Sequence, residues 1–168
     1  MELYLLRHAI AAPLESPGIK SDAERPLTPE GIAKMRKAAI GLTHLVDNFD
    51  VILTSPYVRA RETAQIVAET FKCEKCLKEC PALAPGGSPE ALFATIKKHS
   101  PAERLLLVGH QPDMGALVSL LVWGSDRVSI PMRKGSICRI DVTEMPPRSL
   151  GTLEWLLTPK QLRLIAQL

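Results

Sequence analysis

An unbroken apolar run, Leu3-Tyr4-Leu5-Leu6, opens the chain and halts at Arg7-His8. It is too short for an ordinary helix, and a half-exposed strand would alternate in polarity. It predicts a strand buried on both faces, as in a parallel sheet covered by helices. The pattern recurs twice. Val51-Ile52-Leu53 runs into Thr54-Ser55-Pro56, and Leu105-Leu106-Leu107-Val108 runs into Gly109-His110. Sheets of this kind place their chemistry at the carboxyl edge of the strands. The expected fold is a three-layer α/β/α domain with a mostly parallel central sheet. Two later segments, about Ser136 to Val142 and Leu153 to Leu157, are expected to pair antiparallel on the edge of the sheet near the C-terminus. Leu77 to Cys80 is expected as a further short strand.

Helix starts are written as a hydroxyl residue followed by proline, at Thr28-Pro29, Ser55-Pro56, Ser88-Pro89 and Thr158-Pro159. After Thr28 the apolar positions Ile32, Met35, Ala39, Leu42 and Val46 step by three and four, so the helix is expected to reach Asn48. A helix beginning directly at Ser55 would set Arg59 near its first turn, where unpaired N–H groups favour anions. Pro112 is expected to open the helix that Gly124 closes. The 168 residues predict one domain, 1–168, able to bury a core without a metal or disulfide staple.

The net charge of +3 permits an anionic ligand and is far from that of a dedicated nucleic-acid binder, so no nucleic acid is expected as partner. The start carries Glu2 and lacks the basic segment of a signal peptide, and no stretch is long enough to span a bilayer, so no membrane role is expected. The four cysteines read as thiols of a cytoplasmic protein. Cys73, Cys76 and Cys80 lack the second ligand cluster of a zinc site, and no metal is expected. His44 and His99 read as solvated. Arg127, Arg133, Lys134 and Arg139 read as a solvated loop and strand rather than a docking surface.

With parallel strands, Arg7, His8, Ser55, Arg59 and His110 converge on one sheet edge. Guanidinium forks fit phosphate oxygens bidentately, so two of them with two imidazoles shape a pocket for a tetrahedral dianion. One neutral imidazole can attack phosphorus, and the other can join the arginines in neutralising the transferring group. The arginines should hold the histidines unprotonated near neutral pH. Arg25 is divided between an ion pair with Asp22 or Glu24 and a substrate contact. Ser55 is a second candidate phosphate contact.

Arg7-His8, then Ser55-Pro56-x-x-Arg59-Ala60-x-x-Thr63-Ala64, then Gly109-His110 resemble the histidine phosphatase superfamily, which also contains the phosphoglycerate mutases. Arg25-Pro26-Leu27-Thr28-x-x-Gly31 and Leu157-Thr158-Pro159 resemble its small bacterial branch, typified by SixA phosphohistidine phosphatase. The resemblance runs almost the whole length. It implies His8 as the phosphorylated nucleophile, Arg7 and Arg59 as phosphate clamps, and His110 as the second pocket histidine, with no cofactor. It implies a phosphorylated protein as partner, such as a histidine phosphotransfer domain of a signalling relay. The alternatives are a small phosphate ester as substrate, or an inactive phosphate-binding adaptor. Two departures stand out. Ala9 replaces the usual glycine after Arg-His. The loop Pro81 to Gly87 contains no titratable residue, whereas many ester-cleaving relatives carry a glutamate there as general acid. An acid-free loop suits a leaving group that needs little help, such as the nitrogen of a phosphoramidate. Asp22, Glu24 and Asp113 are the other candidate proton donors.

Overall fold

The computed structural model describes residues 1–99 and 101–168. Six strands form one sheet: β1 (Glu2–Arg7), β2 (Val51–Thr54), β3 (Leu77–Glu79), β4 (Arg104–Gly109), β5 (Ile137–Asp141) and β6 (Thr152–Leu157). Their spatial order is β3-β2-β4-β1-β5-β6. The first four are mutually parallel, with Leu6 opposite Val108 and Leu53 opposite Leu107. β5 joins β1 antiparallel and β6 joins β5 antiparallel, with a register shift between Arg139 and Ile140. The expected α/β fold with an antiparallel edge is therefore observed.

Burial accounts for the uniform apolar runs. Leu3 and Leu5 point to one face of β1, Tyr4 and Leu6 to the other, and all four are at most 1% exposed. On the Tyr4 face pack three helices: α1 (Pro29–Leu42), α2 (Val58–Thr70) and α5 (Pro159–Ile165). On the Leu3 face pack α3 (Pro89–Lys97) and α4 (Asp113–Trp123). Each fully buried leucine contributes about 1.5–3 kcal/mol relative to exposure, so the central strands are also the best-anchored ones.

Three hydroxyl-proline starts behave as read. Thr28, Ser88 and Thr158 accept from the backbone N–H groups of Gly31, Ala91 and Gln161. The fourth does not. α2 begins at Val58, with Tyr57 at its cap, and the Ser55 hydroxyl accepts from Tyr57 N at 3.2 Å instead of capping a helix. α4 likewise begins at Asp113, one residue after Pro112. α1 ends at Leu42, short of Asn48. Its last turn lies against α5: a Cβ on Gly41 would sit 1.9 Å from the carbonyl oxygen of Leu162. The chain then turns, and Val46 and Phe49 return to the core from irregular backbone. No helix among the described residues is long and apolar enough to cross a membrane.

Candidate active site

The three central strands β2, β4 and β1 are neighbours, so their carboxyl ends deliver Ser55, His110 and His8 side by side. Arg7 is the last residue of β1 and His8 the next. His8 is 6% exposed and His110 is 2%, and their ring centroids lie 5.2 Å apart. Arg59, the second residue of α2, is 5% exposed and reaches over the same edge.

The hydrogen bonds assign the His8 tautomer. His8 Nδ1 lies 2.7 Å from the carbonyl oxygen of Ala9, which can only accept, so Nδ1 carries the proton. His8 Nε2 is left with a lone pair and accepts from Arg59 Nε at 3.2 Å. Burial above all, with His110, Arg59 and Arg7 adding to it, pushes the His8 pKa down to about 3, although the Ala9 bond works the other way. His8 is a neutral imidazole at pH 7. Ser55 Oγ, already accepting from Tyr57, lies 2.7 Å from His110 Nε2. A hydroxyl can donate and accept at once, so this bond suits either tautomer of His110, whose buried Nδ1 has no partner among the described residues. Burial first, then Arg59 and Arg7, lower the His110 pKa to about 4, against an opposing pull from Asp22. His110 is therefore a neutral imidazole at pH 7.

The guanidinium groups are braced from outside the cleft. Arg7 donates from Nη1 to the carbonyl oxygen of Met132 at 2.7 Å, and its buried Nε has no partner. Arg59 donates to the Asp22 carbonyl oxygen at 2.5 Å and to the Asp22 carboxylate at 2.9 Å. It also lies 5.0 Å from the centroid of the Tyr57 ring, which contacts His110 edge-on at 5.1 Å. Thr63 ties β1 to α2, accepting from Ala9 N at 3.0 Å and donating to the Arg59 carbonyl oxygen at 2.7 Å. Ala9, in the position of the usual glycine, is buried at 4% exposure.

These groups border a cleft of about 350 Å³, with Arg25, Asp22, Pro85, Gln111 and Lys134 completing its lining. Arg25 makes the expected ion pair with Asp22 at 2.7 Å and lines the cleft. Ser55 is fully buried behind His110, so its hydroxyl supports that ring. Arg61 turns away to pair with Glu79 at 3.1 Å. Lys134 and Gln111 were not read as site residues. Lys134 sits in an irregular loop without periodicity, and the only local signal for Gln111 was its place directly after Gly109-His110.

The candidate acids are all occupied. Among the described residues, Asp22 is the only carboxyl group in the cleft lining. Burial raises its pKa, but hydrogen bonds from Arg25 and Arg59 outweigh that and hold it below the usual range. Glu24 accepts from Lys20 N at 3.2 Å. Asp113 accepts from Gly86 N at 2.8 Å, so it pins the acid-free loop instead of facing the cleft. Cys73 and Cys76 are half-buried, and Cys80 and Cys138 are buried.

Sheet order, paired strand-end histidines and the arginine-lined cleft define a phosphoglycerate mutase-like α/β domain. Residues 3–84 match the histidine phosphatase superfamily (branch 1). An uncharacterized protein of Picosynechococcus sp. is 37% identical over 139 residues, covering 82% of each chain. The phosphohistidine phosphatase SixA of Escherichia coli (strain K12) is 27% identical over 167 residues, covering 98% of each chain. A solved structure of the protein histidine phosphatase SixA complexed with tungstate superposes with a TM-score of 0.83 at 26% identity, covering 96% of this chain and 99% of that one. The chain belongs to the histidine phosphatase superfamily, and within it to the SixA-type branch.

Proposed function

We propose that the protein is a metal-independent phosphatase that removes phosphate from phosphohistidine on a signalling protein, through a phosphorylated His8. One observation carries this reading: among the described residues, the cleft holds no carboxyl group free to protonate a leaving group. Asp22 is ion-paired with Arg59 and Arg25, and Asp113 is committed to the loop backbone.

The chemistry needs no such acid. The lone pair on His8 Nε2 attacks phosphorus, and the bond from phosphorus to the substrate imidazole breaks. If the other ring nitrogen of that imidazole carries a proton, it departs neutral. Phospho-His8 keeps its own proton on Nδ1, held by Ala9. Donor and acceptor are both phosphoimidazoles with the same protonation, so the transfer is nearly symmetric. Arg7 and Arg59 hold the oxygens beside the neutral His110, where charge stabilisation does most of the work. Water then attacks phosphorus, the bond to Nε2 breaks, and both hydrogens of the water leave with inorganic phosphate or pass to solvent. An ester leaves as an alkoxide, which would need the proton donor that Asp22 does not supply.

The test is a paired turnover assay with EDTA present. A histidine-phosphorylated phosphotransfer domain is compared with sugar phosphates and phosphoserine peptides. Rapid loss of phosphohistidine with little ester cleavage is expected. Efficient ester cleavage would overturn the reading, and phosphate binding without turnover of either would favour an adaptor.

A further inference from the structure

Residues 124–136, between α4 and β5, wall one side of the cleft. They are tied to it by Gln111, whose side-chain nitrogen donates to Ser129 Oγ at 3.0 Å and to the Ile130 carbonyl oxygen at 2.9 Å. Arg7 adds its bond to Met132. Beyond these ties the same wall and the far end of α4 enclose an apolar groove of about 330 Å³, lined by Ser119, Trp123, Arg127, Val128 and Ile130 among others. Trp123 is 56% exposed and Val128 is 70% exposed.

One feature separates this groove from an ordinary apolar patch. The segment that lines it carries unpaired cations: Arg127 in the groove and, farther along the chain toward the cleft, Arg133 and Lys134 are exposed and, among the described residues, make no ion pair. Asp126 lies in the lining of a separate cavity with Leu117 and Leu120. Lys134 borders the cleft itself, so the segment that brings Arg127 to the groove also reaches the active site.

Scale decides what kind of occupant fits. Trp123 lies ten residues along α4 from Asp113, roughly 15 Å at about 1.5 Å per residue. A small phosphate compound in the cleft does not reach it. A protein interface of about 800 Å² per partner covers both.

We propose that this groove docks the phosphorylated protein itself. An apolar side chain near the phosphohistidine seats between Trp123 and Val128, and carboxylates face Arg127, Arg133 and Lys134. The proposal rests on the phosphohistidine-protein reading above.

The experiment compares a histidine-phosphorylated phosphotransfer domain with free phosphohistidine on Trp123→Ala, Val128→Asp, Arg127→Glu and Ser119→Ala. Trp123→Ala and Val128→Asp are expected to raise KM for the protein substrate about tenfold or more, as loss of an aromatic anchor does. Their kinetics on free phosphohistidine should stay within about twofold of wild type. Arg127→Glu should lower kcat/KM for the protein and flatten its salt dependence. Ser119→Ala alters a hydroxyl sealed from the groove, so it should leave Tm unchanged or higher and KM for the protein within about twofold of wild type. Unchanged KM for the protein in Trp123→Ala and Val128→Asp, or equal losses on both substrates, would overturn the proposal. Wild-type turnover of free phosphohistidine without turnover of the phosphoprotein would also sink it, leaving the chemistry of His8 intact. Turnover of esters alone would sink both.

Discussion

Asp22→Asn separates an acid-free mechanism from one in which the cleft carboxylate gives a proton. Asp22 makes two charged contacts, to Arg25 Nη1 at 2.7 Å and to Arg59 Nη2 at 2.9 Å. Its side chain is 46% exposed, so both contacts are screened, and such pairs contribute at most about 1 kcal/mol each. Asparagine keeps an acceptor oxygen, and Arg59 keeps the Asp22 carbonyl at 2.5 Å. The expected loss of stability is about 1 kcal/mol in urea unfolding. If all of that were lost from the transition state, phosphohistidine turnover would fall about fivefold. Removing a general acid costs about 10²–10⁴-fold. The two expectations are far enough apart for steady-state kinetics at pH 7 to decide between them. The orthophosphate inhibition constant should be measured in parallel to confirm that the clamp is intact. A fall of two orders of magnitude in kcat with unchanged phosphate affinity would refute the argument and make Asp22 the proton donor.

Replacing His8 with alanine should lower turnover by at least about 10³-fold and abolish the labelled phosphoenzyme on alkaline gels, while tungstate or phosphate still binds through Arg7 and Arg59. Ser55→Ala should destabilise the fold by about 1–3 kcal/mol in urea, because it leaves His110 Nε2 buried without a partner. The histidines also set a pH dependence. Folded pKa values of about 3 for His8 and about 4 for His110 lie below the ordinary 6.5. The unfolded chain therefore takes up protons first as pH falls. Their contribution to stability is complete above pH 6.5 and is lost progressively toward pH 4 and 3. Urea midpoints should drop between pH 7.5 and 5, and ring proton shifts that titrate near pH 6.5 would contradict this assignment.

What could be read from the chain divides along physical lines. Arg7, His8 and His110 were legible because each directly follows a run that has to be a buried parallel strand, and such strands present their carboxyl ends together. Arg59 was legible from its spacing after Ser55. The part played by Ser55 was not. Ser-Pro is a sound local signal for a helix start, but the hydroxyl had a tertiary partner, His110, 55 positions away, and that bond prevailed over capping. The end of α1 failed for the opposite reason. Val46 kept the three-and-four spacing although the chain had already turned at Leu42, so a buried turn residue imitated a fifth helical position. Lys134 gave no signal, since an irregular loop has no period to show which way a side chain faces. That Asp22 would be spent on Arg59 rather than on chemistry depends on a contact across 37 positions, beyond the reach of any local pattern.

The strand order β3-β2-β4-β1-β5-β6 has an evolutionary consequence. Arg7, His8 and His110 follow or end the two central strands β1 and β4, while other segments that border the cleft come from farther out. Pro85 lies beyond the outer strand β3, and Lys134 precedes β5. Selection can therefore rewrite these peripheral segments, by inserting an acid into one or lengthening the other, without disturbing the geometry of the paired imidazoles. Exchanging residues 81–87 between members should transfer leaving-group preference as a portable trait.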